Sequence, residues 1–508
     1  MALTDEQKAI IAHHGNARIK AGAGTGKTST LLNYAISRPK KKILYIAYNR
    51  SVKDEALYKF KKAGVNNTRI ETAHSLAYHD FDVKHKFTLH KDGGCRPHEL
   101  MNMEEINNIT KGDNGYGLIL SKHILGCMNF YCNSSATYLN EIDYTNTIQD
   151  EAAKNFVKGN IDNINHLVSI IMNKMLKGQI NMSHDAYLKY WQLSKPRLDY
   201  DIILFDEGQD ASPVMLDIFL NQDHATKIIV GDEHQQIYSF RSAINSLNHV
   251  DYPEFYLTNS FRFPQSIADI AMEALNLKTL LGIDTSNISL TGHGTVDASN
   301  NMSAILARNN VTLLDAAIEA VFTNNIHNIY FEGNLSGYTY MKEGGGLYDI
   351  LNLLQGRNSK IHDPFISSFQ TIAELDEYQS ATGDKEIKLM SNIVKKYNKN
   401  LSFYLTNLKK YQVPKQEAEL IFSTVHKAKG MEYKNVTLSD DFINKDIILE
   451  LLNPTLDIDS PESESLESES LVDPAKIVEE INILYVAITR AKENIVYSEF
   501  NEQELVNG

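Results

Sequence analysis

The run Ala21-Gly22-Ala23-Gly24-Thr25-Gly26-Lys27-Thr28 could hold phosphate. Its glycines let backbone N–H groups approach phosphate oxygens, Lys27 can reach the β- and γ-phosphates, and the Thr28 hydroxyl can ligate Mg2+. Ala21 stands where the common form of this pattern has Gly, and Ser29 follows on the helix. The loop alone implies nucleotide binding. A second segment, Leu204-Phe205-Asp206-Glu207-Gly208-Gln209-Asp210, implies hydrolysis. There the apolar run Ile202 to Phe205 makes a buried strand that ends in two carboxylates. Asp206 can hold Mg2+ through water, and Glu207 can polarise an attacking water. A buried acidic pair is costly unless a cation compensates it, which favours a metal role over a structural one. The expected ligands are therefore ATP and Mg2+.

These residues need elements to hold them. Residues 17–80 read as strand, loop, helix, strand, helix, strand, with KILYIAYN the second strand and TRIETAHSLA the third. Alternating strands and helices imply a parallel sheet. Residues 81–196 change to helical periodicity, as an inserted subdomain would. YDIILFDEGQD and ATKIIVGDEHQQIY then return to buried strands. SAILAR and NIYFEG are further strands separated by a helical stretch, and residues 346–415 read as mostly helical. LIFSTVHKAKGMEYKNVTLSD and a C-terminal helix containing NILYVAITRAK close a second α/β unit. The acidic stretch 460–470 reads as a solvated loop.

Composition bounds the function class. The 508 residues suggest several domains, and 43% apolar with 22% charged is ordinary for a soluble chain. No apolar run is long enough for a membrane span, and the N-terminus has no signal-peptide core. Three cysteines are too few for a disulfide framework, and Cys127 and Cys132, lacking a second pair, do not make a zinc site. A cytoplasmic setting is expected, nucleoid-associated or its nuclear equivalent. The net charge of −14 argues against nucleic acid until its distribution is read. Residues 1–75 carry 14 Lys and Arg against 5 Asp and Glu, a local excess of nine. Local fields, not the total, govern phosphate contacts.

Taken together the motifs resemble those of superfamily 1 helicases of the UvrD/Rep type, and in particular the helicase part of the F-box DNA helicases. LTDEQ (3–7) resembles the Q motif, and IAYNRSVKDEA (46–56) and TAHSLA (72–77) resemble motifs Ia and Ib. VGDEHQQIYSFR (230–241) and LTNSFRFP (257–264) resemble motifs III and IV, and STVHKAKGMEY (423–433) and NILYVAITRAK (482–492) resemble motifs V and VI. The segment HDAYLKYWQLSKPRLDYDIILFDEGQD is particularly like the F-box helicases. The resemblance implies two RecA-like P-loop domains with parallel sheets, each carrying a mainly helical insertion. The first would be 1–75 with 197–258, around an insertion 76–196. The second would be 259–345 with 416–508, around a reduced insertion 346–415.

By the same resemblance Gln7 would read the adenine edge, Phe261 would stack on the base, and Glu432 would bind ribose or face the γ-phosphate. Gln235 would sense the γ-phosphate, and Arg262 and Arg490 would be arginine fingers, a device worth roughly 10³–10⁵ in rate in other NTPases. The nucleic-acid track would use Tyr48, Asn49, Thr72, His74, Ser75, Tyr238, Phe240, Arg241, Thr424, His426 and Lys427, with aromatics stacking on bases of any sequence.

Departures from the pattern are specific. Gly208 replaces the usual Ala or Cys, and Ser242-Ala243 replaces Gly-Ala. The chain starts at the Q motif, so no F-box and no ubiquitin-ligase role are expected. Eighteen residues follow Arg490, so no fused nuclease is expected either. The leading expectation is a translocase on single-stranded DNA and duplex junctions, moving 3′→5′. The alternative is a nucleotide- and nucleic-acid-sensing subunit that switches a partner nuclease in a repair or defence complex. A scaffold with a dead ATPase is disfavoured because every hydrolytic residue is present.

Overall fold

A computed structural model of the chain describes residues 2–90, 94–148, 150–238, 245–294, 302–333, 335, 338, 346–452 and 473–497. Phe240, Arg241, Ser242, Ala243 and the acidic stretch 460–470 lie outside the described residues.

Six strands form the first sheet: β1 (Ala17–Ala21), β2 (Ile43–Ala47), β3 (Thr68–Thr72), β4 (Ile202–Phe205), β5 (Thr226–Gly231) and β6 (Glu254–Leu257). Two short strands, β7 (Asn259–Ser260) and β8 (Thr291–Gly292), pair beside it. The second sheet holds β9 (Ser303–Ala307), β10 (Ile329–Phe331), β11 (Leu420–Thr424), β12 (Tyr433–Leu438) and β13 (Ala491–Val496). The orders are β3-β2-β4-β5-β1-β6 and β10-β11-β9-β12-β13, with every pair parallel. β2 and β4 are buried along their whole length. That burial explains their unbroken apolar runs, since helices cover both faces of a parallel sheet.

Each sheet sends out a helical insertion after an edge strand. Between β3 and β4, among the described residues, lie seven α-helices, the longest being Asn114–Asn133 and Glu151–Leu176. Between β10 and β11 lie Leu347–Leu354, Ile372–Thr382, Lys385–Tyr397 and Leu401–Lys410. The insertions touch: Ile372–Thr382 packs on both long helices of the first insertion, and Leu118 enters the second insertion's core. No helix among the described residues is long and apolar enough to cross a membrane.

Three expectations need correction. TRIETAHSLA is a strand only to Thr72. The Thr72 hydroxyl accepts the Ser75 N–H and starts a helix, Ala73–Asp80, that buries Ala73, Leu76 and Ala77 on one face. NILYVAITRAK is likewise divided: its helix runs Pro474–Ile488, and Ala491 begins β13, which completes the sheet beside β12. NIYFEG pairs only over Ile329–Phe331. Sheet pairing overrides local propensity in the last two cases. The partly exposed edge strand β6 has no buried run to mark it in the sequence.

Candidate nucleotide site and nucleic-acid track

Strand order sets the carboxyl ends of β1, β5 and β4 side by side, the usual place for a ligand in such sheets. The Gly-rich loop leaves β1. Gly24 and Gly26 adopt φ of +73° and +83°, a region that favours glycine. A Cβ on Gly24 would also lie 2.6 Å from the Arg262 Cβ and the Ser260 Oγ. The Phe261 N–H donates to the Gly24 carbonyl at 3.0 Å. Ala21, Gly22, Ala23 and Thr25 complete the loop, with the Thr25 hydroxyl on the Gly22 carbonyl at 2.9 Å. Gly26 caps the helix Lys27–Ile36, which carries Thr28 and Ser29.

Lys27 Nζ lies 2.9 Å from Glu207 Oε2. Burial opposes charge on this lysine, but Glu207, Asp206 and Asp232 outweigh it and raise its pKa. Burial and neighbouring Glu207 raise the Asp206 pKa, and the Tyr45 hydroxyl bonds its carboxylate. Glu207 goes the other way: burial would raise it, yet Lys27 and Lys429 hold it low. Its backbone sits at φ +55°, left-handed for a residue with a side chain, a strain typical of functional turns. A Cβ on Gly208 would lie 2.7 Å from Ile229 Cγ1. The space that Ala or Cys would fill is therefore taken by Ile229.

The second unit supplies the opposite sign. Arg262 Nε donates to Glu432 Oε1 at 2.8 Å and Nη1 to the Thr489 carbonyl at 3.1 Å. Arg490 is fully buried, with donors on the Val486 and Met431 carbonyls and the Thr489 hydroxyl. Burial, reinforced by Arg262, pushes its pKa down to about 9, so it stays protonated at neutral pH. Gln235 Nε2 donates to Asp232 Oδ2 at 2.6 Å. Gln7 uses both ends of its amide, accepting from Thr4 N and donating to Thr30 Oγ1 at 3.2 Å. Its nitrogen has a second hydrogen to give. The Phe261 ring lies 6.3 Å from that of His293.

Charges of both signs thus gather at the cleft: buried Asp206, Asp210 and Asp232 with half-buried Glu207 from one side, buried Arg490 with half-buried Arg262 and Lys429 from the other, and Lys429 bonds Asp210 across it. Such charges are costly until balanced. A polyphosphate offers anionic oxygens to the arginines, the Lys27 ammonium and the loop amides, and a divalent cation suits Asp206 with the Thr28 hydroxyl. The donor set fits ATP with Mg2+.

The candidate track is only partly assembled. The Tyr48 and Tyr238 rings stack with centroids 5.9 Å apart, and the Tyr238 ring lies 5.9 Å from that of His426. Others serve local structure: Asn49 and Thr72 cap helices, Ser75 Oγ bonds Glu71 at 2.6 Å, and His74 faces Asp185 at 3.3 Å. Thr424 is buried at the end of β11, and the Lys427 ammonium sits 3.6 Å from the Tyr338 ring centroid.

Three residues escape the sequence reading. The Tyr485 hydroxyl accepts the Ala23 N–H at 3.2 Å and bonds Asp232 Oδ2 at 3.3 Å, yet in ILYVA it reads as core. Asp232 lies within VGDEHQQ without a distinct signal. Lys429 bonds Asp210 across the cleft, and the basic spacing in HKAKG was its available sign.

Residues 3–251 match the UvrD/REP helicase N-terminal domain, and residues 340–502 match the UvrD-like helicase C-terminal domain. F-box DNA helicase 1 of Gallus gallus is 29% identical over 99% of this chain and 50% of its own length. F-box DNA helicase protein 1 of Schizosaccharomyces pombe is 28% identical over 98% of this chain and 57% of its own. A probable DNA helicase II homolog of Mycoplasma genitalium is 23% identical over 54% of this chain and 42% of its own. The chain thus spans about half the length of the F-box relatives it matches. With both domain matches in order along most of the chain and two parallel sheets, the chain belongs to the UvrD-like helicase family.

Proposed function

We propose that the chain is an ATP-hydrolysing DNA helicase that steps 3′→5′ along single-stranded DNA. The observation that carries this reading is charge shared by two units across one cleft, with Lys429 of the second bonded to buried Asp210 of the first and buried Arg490 under the influence of Asp232, which supports hydrolysis only when both units engage. The units are those expected above, 1–75 with 197–258 and 259–345 with 416–508. Lys27 and the loop amides bind the phosphates. Thr28 and Asp206 would hold Mg2+, which neutralises phosphate charge and orients the γ-phosphoryl group. Glu207, kept ionised by Lys27 at 2.9 Å and by Lys429, would polarise and orient the attacking water. Arg262 and Arg490 meet charge developing on the phosphoryl oxygens. Gln235, bonded to Asp232, would sense the γ-phosphate. Gln7, Phe261 and Glu432 line the base and ribose side. Bases would stack on Tyr48 and Tyr238, and alternate grip by the two units gives directed stepping. The relatives' names, DNA helicases in each case, support DNA over RNA.

The test is ATP hydrolysis with and without oligothymidylate, alongside strand displacement on 3′-tailed, 5′-tailed and blunt duplexes, with Glu207→Gln as control. Stimulation by the oligonucleotide and displacement from the 3′ tail are expected. A folded protein without stimulation is no motor, and displacement from the 5′ tail alone reverses the polarity.

A further inference from the structure

A short stretch of the first unit, Gln235 to Tyr238, is gripped along its backbone by side chains of the second. Three consecutive carbonyls accept from it: Gln235 O from Lys429 Nζ at 2.5 Å, Gln236 O from Asn482 Nδ2 at 3.0 Å, and Ile237 O from His426 Nε2 at 3.1 Å. The Tyr238 hydroxyl returns a bond to the His426 carbonyl at 3.1 Å. Burial keeps His426 neutral, with its pKa pushed down to about 4, so a ring N–H is the donor.

Lys429 does more than its neighbours. It sits on the connection between β11 and β12, and its ammonium also bonds Asp210, a carboxylate only 2% exposed that follows the Asp206-Glu207 pair. The same ammonium lies 4.9 Å from the centroid of the Tyr238 ring, within range of a cation–π attraction. Tyr238 stacks on Tyr48 in the candidate track. One cation from the second unit therefore touches the hydrolytic turn, the Gln235 carbonyl and the aromatic track together. A lysine present only to neutralise Asp210 has no need of the other two contacts. The ammonium has three donors, and two of them are accounted for by Asp210 and Gln235.

We propose that Lys429 is a positioning residue that couples occupancy of the nucleic-acid track to the nucleotide site. This deepens the motor reading above and rests on it. A base entering beside Tyr238 shifts the ring against the ammonium. Any displacement of Lys429 then reaches Asp210 and Gln235, whose side chain bonds Asp232 beside the Gly-rich loop. The linkage is reciprocal, so nucleotide in the cleft must alter single-strand affinity by the same factor.

The experiment measures that factor as the ratio of dissociation constants for a fluorescent non-hydrolysable ATP analogue with and without oligothymidylate. It is run on wild type, Lys429→Met, Lys429→Arg and the double variant Lys429→Met/Asp210→Asn. The double variant removes the carboxylate that Lys429→Met alone would leave unpaired. In Lys429→Met and in the double variant the factor is expected to fall to about one, from a wild-type value within the ~5–150-fold span of ordinary coupling between sites. Affinity for each ligand alone should change by a smaller factor, and Lys429→Arg should restore part of the coupling. Retention of the wild-type factor in the two Met variants overturns the proposal. So does an equal loss in coupling and in separate binding, or failure of both to fold, since either marks a purely structural bridge. Wild-type protein with no coupling and no stimulated hydrolysis would instead refute the motor reading.

Discussion

In both α/β units the helical insertion departs from an edge strand, β3 in the first and β10 in the second. The two frames are alike in layer and strand direction, yet their facing ends carry opposite charge. Asp206, Glu207, Asp210 and Asp232 crowd the end of the first sheet around a single Lys27, whereas Arg262, Lys429 and Arg490 come from the second. Lys27 offsets Glu207 within the first unit and Glu432 offsets Arg262 within the second, which leaves Asp206, Asp210 and Asp232 in excess on one side and Lys429 and Arg490 on the other. The contrast teaches that the cleft, not either sheet, is the chemical unit, and that each half needs the other and a charged ligand to offset its buried groups.

The largest effect should come from removing the second unit's contribution. Arg490→Ala is expected to lower the hydrolysis rate by about 10³–10⁵ while analogue binding persists. Because Arg490 also holds the Val486 and Met431 carbonyls, the melting temperature must be read beside kcat. A folded variant with a near-normal rate would remove Arg490 from hydrolysis and leave Arg262 to carry the second unit's part.

The track can be divided in the same manner. Tyr48→Ala, in the first unit, should weaken single-strand binding by about 1–3 kcal/mol, the worth of one stacked base. Fluorescence anisotropy with labelled oligothymidylate measures this, and an unchanged affinity would assign Tyr48 to packing against Tyr238 alone.

Gly208 confines a prediction to the first unit. Gly208→Ala should cost about 1–3 kcal/mol in a denaturant melt by pressing on Ile229. The cost should shrink in an Ile229→Ala background, and an additive pair of changes would contradict the contact.

The smallest effect is a pH dependence at the grip between units. Burial, with Arg308 nearby, lowers the His426 pKa to about 4, against ~6.5 for an unfolded histidine. In the window between these values the unfolded chain binds the extra proton. The contribution is therefore fully present above about pH 6.5 and is lost as pH falls towards 4. Relative to His426→Gln, the wild type should lose on the order of 1–2 kcal/mol of stability across that window. A flat difference in paired melts would remove His426 from this role.

Local signals announced the residues proposed for hydrolysis. Lys27 and Thr28 follow a Gly-rich turn, and Asp206 and Glu207 end an apolar run, so their roles depend on backbone features written within a few residues. Element type was legible where burial is continuous, as in β2 and β4, and failed where a cap or a sheet partner decides. Thr72 turns TAHSLA into a helix start, and β12 draws Ala491–Val496 into a strand.

By itself, then, the sequence determined two parallel α/β units with helical insertions, a nucleotide loop and its carboxylates, because periodicity, turn chemistry and motif spacing act over short stretches of chain. Only the tertiary structure decided which distant groups meet. Tyr485 reaches Ala23, Lys429 reaches Asp210 from 219 positions along the chain, and Ile229 fills the place that Gly208 leaves empty. Those choices rest on through-space packing and on the cost of leaving buried charge unpaired, and neither leaves a local trace in the order of residues.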